Sequence, residues 1–267
     1  MLKNFICPNQ AITPIDVCMN GCPFGERCAP LSFLKMCADE RVWKGKPSVT
    51  QLLRGTREAW LKIKCDYSEN PQGQVFRVIG SKGHSVLEQF GVNPEHPLEW
   101  EGITGIPDEL EPAGKGEVYL IDNKVSGSYK VAQVLGIMAI DSDRIGPKGK
   151  PIKDFVRDRD HADWGDWMLQ FNMYRIMVEA NMPLQVKKIK AFLPVRDGNT
   201  SIAKSRGIMD NFYYEEVPFM DVDEVKNYFI GKRDALLSHL EKDTMPEPCT
   251  PEEVWNGNKC KGYCSVV

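Results

Sequence analysis

The sequence contains no long hydrophobic run. No stretch approaches the roughly 20 apolar residues that a membrane-spanning helix requires, and the first residues lack the apolar segment of a secretory signal peptide. These absences argue against a helical membrane protein and predict a cytoplasmic, intracellular protein with no membrane partner. Histidine is also scarce, with four residues in the chain. A histidine that lies at helical spacing from an acidic residue is therefore informative.

The sequence also lacks a strong net charge. Its 34 Lys and Arg residues are balanced by 37 Asp and Glu residues, which leaves a net charge of −3. This balance excludes an overall positive field that would hold nucleic acid non-specifically, so any such binding needs a local channel. With 267 residues, 42% of them hydrophobic, the chain can bury a sizeable core. Length and composition predict one enzyme domain with a small metal-bound appendage.

Two acidic residues stand at the ends of predicted strands. Asp108 closes a strand near 98–105, and Asp122 ends the apolar run of a second strand near 117–124, with a turn over 111–116 between them. Adjacent antiparallel strands can bring the two carboxylates to one sheet edge, where they form a hard oxygen site for Mg²⁺ or Mn²⁺.

Lys124 lies two residues beyond Asp122, so both side chains point to the same face of a strand. An ammonium beside a bound cation can orient or help to deprotonate a water, which suits hydrolysis of a phosphodiester. Taken alone, Asp-x-Lys is more typical of a solvated strand end.

Two predicted helices contribute further polar residues. His84 and Glu88 are spaced i and i+4 on a helix entered through a glycine turn, and this spacing places them on one face. A lone pair of this kind is more often an ordinary surface pair. Gln170 and Tyr174 have the same spacing on an amphipathic helix over 164–180, where Trp and Met residues are typical of core.

Four short motifs occur in order along the chain: Gly80-x-x-x-His84, Gly-x-x-Asp108, Asp122-x-Lys124 and Gln170-x-x-x-Tyr174. Together they resemble the motif set of the PD-(D/E)XK nuclease superfamily, in particular the RecB-type branch of CRISPR-associated and phage RecB-like exonucleases. The resemblance covers roughly residues 48 to 264. It implies an α/β fold with a PD-(D/E)XK restriction-endonuclease-like core, in which a mixed central sheet is flanked by helices, with Cys-rich metal-bound termini.

The resemblance implies a role for each matched residue. Four groups would bind Mg²⁺ or Mn²⁺: His84, Asp108, Asp122 and the main-chain carbonyl of Asn123. Lys124 would position the nucleophilic water and stabilise the developing charge. Gln170 and Tyr174 would support the active site and contact the DNA, and Glu88 matches an acidic helix position of some branches. Pro107, directly before Asp108, departs from the pattern without removing a ligand.

Nine cysteines provide a second signal, and eight of them flank the predicted catalytic region. Clustered cysteines in an intracellular chain are more typical of metal binding than of disulfides. Free buried thiols are the less favoured alternative for the eight, whereas Cys65 is interpreted as an ordinary thiol. RecB-type nucleases with an iron–sulphur cluster take one ligand before the nuclease core and three after it. The resemblance of Ser32–Cys37 to the first of these segments assigns a [4Fe–4S] cluster to Cys37, Cys249, Cys260 and Cys264.

The tail spacing departs from the tighter C-x-x-C pattern of that branch, so Zn²⁺ at both ends remains the alternative. The other four cysteines at the front could form a separate Zn²⁺ site: Cys7, Cys18, Cys22 and Cys28. Because residues 1–46 show little periodicity, we expect their order to depend on metal. The tail is expected to need a metal shared with an N-terminal cysteine, since its Pro-rich start cannot pack a core.

The predicted organisation has three parts: a Cys-rich segment (1–46), a nuclease core (47–245) and a Cys-containing tail (246–267). A capped helix is predicted over 47–62 with Ser48 near its start. Arg54 and Arg57 on this helix could hold successive DNA phosphates, although a solvated charged face explains them equally well. The remaining predicted elements are a polar loop over 140–162, strands near 186–195 and 210–217, and a helix over 222–242.

These features favour a metal-dependent DNA nuclease, an exonuclease on single-stranded DNA or duplex ends. The alternative from another class is a non-catalytic, metal-stapled DNA-binding subunit of a larger nucleic-acid processing complex. The combination of two acids and a lysine argues against that alternative, because binding alone requires none of the three.

Overall fold

Helices and strands alternate along the chain, which confirms a mixed α/β class. The computed structural model describes residues 1–40, 42–90, 97–145, 149 and 151–266. In chain order the elements are β1 (Leu2–Ile6), β2 (Ile12–Pro14), α1 (Ile15–Asn20), α2 (Leu31–Ala38), α3 (Val49–Leu52), α4 (Thr56–Lys64), β3 (Tyr67–Glu69), α5 (Val75–Glu88), β4 (Leu98–Trp100), β5 (Ile103–Gly105), β6 (Glu109–Gly114), β7 (Glu117–Asn123), α6 (Ser128–Val134), β8 (Ile137–Ile145), β9 (Pro151–Arg157), α7 (Asp166–Asn181), β10 (Gln185–Pro194), α8 (Ser201–Lys204), β11 (Phe212–Val217) and α9 (Val222–Glu241).

The described chain forms two compact units. Unit 1 contains both ends of the chain, Met1–Ser85 and Asp223–Val267, together with the short β4–β5 region Glu99–Gly105. Unit 2 is formed by Val86–Leu98 and Ile106–Val222. The division predicted from the sequence, into an N-terminal segment, a nuclease core and a tail, groups residues by function rather than by compactness. The two units do not test it, so it stays a prediction. Among the described residues, none of the helices combines the length and apolar character that crossing a bilayer demands.

Unit 1 begins with a three-stranded sheet in the order β2-β1-β3. Strand β1 pairs antiparallel with β2 and parallel with β3. A small cluster of buried side chains packs beside this sheet: Phe5, Cys18, Leu34, Cys37 and Val78. The first 46 residues therefore have regular elements and apolar packing, which their weak periodicity did not predict.

Unit 2 is built on a four-stranded sheet in the order β11-β10-β7-β6. Strand β7 pairs parallel with β10 and antiparallel with β6, so it is central in the sheet. Helix α7 packs against β10. The strands alternate in burial, with Leu120, Ile189 and Leu193 fully enclosed, because one face of the sheet packs into the core.

The strand that pairs with β7 differs from the expected one. The region near 98–105 was expected to form the hairpin with β7, but β4 and β5 pair with each other in a separate two-stranded sheet. The partner is β6, which occupies most of the predicted turn at 111–116. Pro112 suggested a loop, yet β6 is an edge strand of its sheet, where a missing N–H is tolerated. The predicted loop over 140–162 is likewise wrong, because β8 and β9 form an antiparallel ribbon there.

Two predicted helices also differ in extent. The helix predicted over 47–62 is broken into α3 and α4 at Leu53–Gly55, while the capping role of Ser48 is confirmed by a complete capping box with Gln51. Helix α5 begins at Val75, so the predicted glycine turn lies inside the helix. Predictions for α7, α9, β10 and β11 are confirmed to within about two residues at each end.

Candidate active site

The two predicted catalytic carboxylates meet on neighbouring strands of unit 2. In the β6–β7 register Glu109 pairs with Ile121, so Asp108, one residue earlier, lies beside Asp122 and Asn123. The Asn123 backbone N–H donates a hydrogen bond to Asp108 Oδ2 at 2.7 Å. The prediction that these acids lie side by side at one edge of a sheet is therefore confirmed, although Asp108 directly precedes β6 and the 98–105 region does not provide the strand.

Asp122 lies deeper in the sheet than Asp108. Its side chain is 1% exposed, whereas Asp108 is half-buried. Strand β10 flanks it on the other side, where Ala191 pairs with Asp122 and Phe192 pairs with Asn123. A central strand therefore holds this carboxylate, and its position depends on both neighbouring strands.

The Lys124 ammonium lies against the Asp122 carboxylate and forms an ion pair with Oδ2. The Lys124 side chain is 17% exposed, so solvent screens this pair less than a surface pair. The Lys124 backbone N–H donates to the Phe192 carbonyl at 2.8 Å, which extends the parallel pairing past the end of β7. The predicted placement of Asp122 and Lys124 on one face is confirmed.

Phe171 completes the surroundings of the lysine, and the sequence did not predict this. The Lys124 ammonium lies 5.1 Å from the centroid of the Phe171 ring, close enough for a cation–π interaction. The ring is fully buried on α7 and contacts Trp164 edge-on, with centroids 6.4 Å apart. One sequence feature indicated that Phe171 belongs to the site, namely its position directly after Gln170. No local sequence pattern connects a helix residue with a lysine 47 positions earlier.

Gln170 and Tyr174 lie together on α7, as their spacing predicts. Gln170 Nε2 donates to the Tyr174 hydroxyl at 3.0 Å, and both side chains are buried. A buried pair that bonds within one helix face presents an ordered polar group on the helix that also carries Phe171. Their predicted contact with DNA is not tested by this arrangement.

The donor set fits a hard divalent cation. Asp108 and Asp122 offer carboxylate oxygens from adjacent strands, and Lys124 contributes only one positive charge against their two negative charges. Carboxylate oxygens are the ligands that Mg²⁺ and Mn²⁺ prefer. Among the described residues, however, no group of three or more His, Cys, Asp or Glu side chains is arranged as a ready metal site.

Two further predicted site residues lie on α5. The backbone of this helix includes both His84 and Glu88. Their side chains lie outside the described part of the structure. The predicted metal-binding role of His84 and the acidic role of Glu88 stay predictions. Several apolar side chains of the same helix are exposed, among them Phe76, Ile79 and Val86.

Arg54 and Arg57 lie where the predicted helix breaks, and both have partners in unit 1. Arg54 pairs with Glu58 at 3.7 Å, and the Arg57 guanidinium donates to the Pro246 carbonyl at 3.5 Å. These contacts give both side chains a structural role. Binding of DNA phosphates by the two arginines stays a prediction.

Two of the predicted iron–sulphur ligands, Cys37 and Cys249, lie in different surroundings of unit 1. Cys37 is fully buried in the apolar cluster of unit 1, and its thiol points at the Pro71 carbonyl, 4.0 Å away. Burial raises the pKa of the Cys37 thiol, which the nearby Arg77 partly offsets. Cys249 packs instead against the N-terminus of α4, beside Gly55. Within the described chain these two cysteines and the tail cysteines Cys260 and Cys264 form no ligand group.

The tail is anchored by protein contacts. Lys259 forms an ion pair with Glu58 at 2.6 Å, and both side chains are almost completely buried. Lys232 on α9 pairs with Glu253 of the tail. The Cys249 thiol accepts a hydrogen bond from a backbone N–H of α4 at Glu58; burial nevertheless raises its pKa. Polar anchoring of this kind was not predicted, since no local pattern connects Glu58 with Lys259.

The chain matches no family model and no curated protein. Among solved structures, it aligns with one described as "Crystal structure of SSO0001", with 12% sequence identity and a TM-score of 0.43. The alignment covers 87% of this chain and 88% of that chain. At this level of similarity, no activity or fold family is transferred from that protein.

Proposed function

We propose that this protein is an intracellular, metal-dependent DNA nuclease of the PD-(D/E)XK type, acting as an exonuclease on single-stranded DNA or duplex ends. One observation carries the proposal. Asp108, Asp122 and Lys124 converge at the end of a central strand, with Lys124 held between a carboxylate and an aromatic ring. A structural ion pair needs one acid and one base, whereas this site has a second carboxylate fixed to the same strand.

The chemistry proposed is in-line attack of water on phosphorus. A bond forms between the water oxygen and phosphorus, and the phosphorus–oxygen bond to the leaving sugar breaks. A divalent cation held by Asp108 and Asp122 would supply Lewis-acid stabilisation of the negative charge. Lys124 is positioned to orient the water and to stabilise charge on a non-bridging oxygen, because its ammonium is fixed in a region with little solvent.

Neighbouring residues preorganise this lysine. The Asp122 carboxylate and the Phe171 ring contact its ammonium from two directions, and the backbone bond to Phe192 fixes the start of its side chain. Such fixed charges stabilise a transition state without reorganising during the reaction. The Gln170–Tyr174 pair orders the adjacent part of α7.

The direct test is cleavage of 5′- and 3′-labelled single-stranded oligonucleotides with Mg²⁺ or Mn²⁺. We expect wild-type protein to shorten the labelled strand and Asp122→Asn or Lys124→Met to lower the rate by roughly 10²- to 10³-fold or more. The matched control is Lys187→Met, which removes an exposed lysine paired with Glu117 in the same sheet. Near wild-type rates for Asp122→Asn and Lys124→Met would refute the catalytic assignment.

The iron–sulphur cluster stays a separate proposal. Cys37 and Cys249 lie in different surroundings of unit 1, and no catalytic step depends on the cluster. Anaerobically purified protein should be brown and should contain iron and sulphide if the cluster forms. Cys260→Ser or Cys264→Ser should then remove the colour. Colourless protein without iron would rule the cluster out.

A further inference from the structure

Two of the front cysteines begin turns of the same local design. Cys7-Pro8-Asn9-Gln10 and Cys22-Pro23-Phe24-Gly25 both place proline directly after the cysteine. In each turn the N–H of the fourth residue donates to the cysteine carbonyl, at 2.8 Å for Gln10 and 3.3 Å for Gly25. Both fourth residues have positive φ, 66° for Gln10 and 103° for Gly25. For Gln10 this conformation is uncommon and costs energy, so the turn is a specified feature.

The other two front cysteines lie on the segments that these turns adjoin. Cys18 is on α1 and is buried beside Phe5 of β1. Cys28 is exposed in the loop before α2. The Arg27 guanidinium donates to the Met19 carbonyl at 3.1 Å, which folds this loop back onto α1 next to Cys18. The four cysteines are thus carried by a hairpin turn, a helix and the loop that returns to the helix.

The four cysteines lie in one part of unit 1. Cys7 follows β1, whose Phe5 packs against Cys18, and the Arg27–Met19 contact brings the loop of Cys28 to the helix that carries Cys18. The same proximity suits a metal that binds thiolates, because zinc withdraws their charge into metal–sulphur bonds.

We propose that Cys7, Cys18, Cys22 and Cys28 bind one structural Zn²⁺ ion in unit 1. Four sulphur ligands with no open position are the arrangement of structural zinc sites, so the ion is tetrahedral and takes no part in catalysis. The described thiols are not arranged as a ready ligand group, so binding requires the two turns and the Cys28 loop to close on Cys18. This proposal stands independently of the nuclease proposal.

The metal would have a clear structural effect. The apolar cluster of the first 38 residues is small, and only one of its members, Val78, lies outside them. A metal shared by the hairpin, α1 and the following loop would cross-link segments that have little hydrophobic area in common. Because unfolded chains rarely hold a preformed site, the binding free energy would become folding free energy of this segment. Its stability should therefore depend on zinc.

The test is metal content of full-length protein, with Cys28→Ser as the main variant, because that side chain is exposed and serine there disturbs no packing. We expect wild-type protein to retain one more zinc ion per chain than Cys28→Ser or Cys22→Ser, by mass spectrometry of metals. Cys65→Ser is the matched control, since Cys65 lies outside the quartet, and should keep the wild-type zinc content. The difference in zinc content between wild type and the Cys28→Ser or Cys22→Ser variant counts only zinc bound by the front cysteines, so it excludes any metal held by the tail cysteines.

Two further measurements decide the outcome. Cobalt-substituted wild-type protein should show the visible absorption of a tetrahedral four-sulphur site, and Cys28→Ser should lose the four-sulphur component. Chelation should lower the melting temperature of wild type but leave that of Cys28→Ser unchanged. The proposal is overturned by equal zinc content in wild type and both quartet variants. Iron bound in place of zinc, or disulfides among the four cysteines in freshly isolated protein, would overturn it equally.

Discussion

Gly55 is the position at which the contact between tail and α4 can be tested most sharply. It precedes α4 with φ −56° and ψ 137°, a conformation that alanine adopts without strain. A Cβ atom at this position would lie 3.2 Å from Cys249 Cβ and 3.1 Å from Glu253 Oε2, and nearer still to the Cys249 sulphur. Gly55→Ala therefore forces the tail away from α4 without changing the preferred backbone.

The expected cost has two parts. Inserting a methyl group into a filled contact costs about 1–3 kcal/mol. Alanine is also a poorer N-cap residue than glycine, by about 0.5–1 kcal/mol. Together they predict a loss of about 1.5–4 kcal/mol, or roughly 3–16 °C in melting temperature for a chain of this size. The loss cannot exceed the free energy of tail docking, because the tail can detach and relieve the contact.

Thermal unfolding and limited proteolysis measure the two consequences. We expect Gly55→Ala to unfold at lower temperature and to be cleaved faster in the tail. Removing the sulphur in Gly55→Ala/Cys249→Ala should recover more than about 1 kcal/mol relative to the sum of the single variants. Gly73→Ala is the control, since a Cβ there meets nothing within 4 Å. Wild-type stability and proteolysis for Gly55→Ala, or strictly additive effects, would refute the predicted packing of the tail.

Three other changes have defined outcomes. His84→Ala should raise the Mn²⁺ concentration needed for half-maximal cleavage and leave oligonucleotide binding unchanged. If the Mn²⁺ titration is the same as that of wild type, His84 is an ordinary surface residue rather than a metal ligand. Glu58→Gln should lower the free energy of unfolding, measured by urea titration, by about 1–3 kcal/mol, because Lys259 keeps its charge in a nearly buried position without its partner. The double variant Glu58→Gln/Lys259→Met should recover part of this lost stability. Phe171→Leu should slow cleavage by roughly 2- to 30-fold, which corresponds to the free energy of its cation–π contact with Lys124. A wild-type cleavage rate in a correctly folded variant would contradict that role.

The chemistry of the candidate site could be predicted where it is local in sequence. Asp122 and Lys124 share a face because strand geometry alone places residues two apart on one side. Gln170 and Tyr174 meet for the corresponding reason on a helix. Phe171 could not be predicted as the neighbour of Lys124, since their contact depends on how α7 packs on the sheet.

The strand pairing was harder to predict for physical reasons. Pro112 and Gly114 are typical of turns, but a strand at the edge of a sheet accepts both, and β6 is such a strand. The Gly- and Pro-containing stretch near 146–151 suggested one long loop. The segments before and after it instead pair as an antiparallel ribbon, with cross-strand ion pairs such as Lys153 with Asp141. In both cases tertiary pairing outweighed residue propensity.

The hydrogen bonds at the end of β7 have a consequence for amide exchange with solvent. The Asn123 N–H is bonded to Asp108 on one side, and the Lys124 N–H to the Phe192 carbonyl on the other. Because each amide depends on a different neighbour, fraying of β6 alone should expose the Asn123 N–H, whereas opening of β10 alone should expose the Lys124 N–H. Deuterium uptake at these two amides should therefore report separately on the two sides of β7, and equal uptake rates would indicate that the four-stranded sheet opens cooperatively. Since the candidate site needs both Asp108 and Lys124 in place, residual activity in denaturant should be lost with the earlier of these two openings.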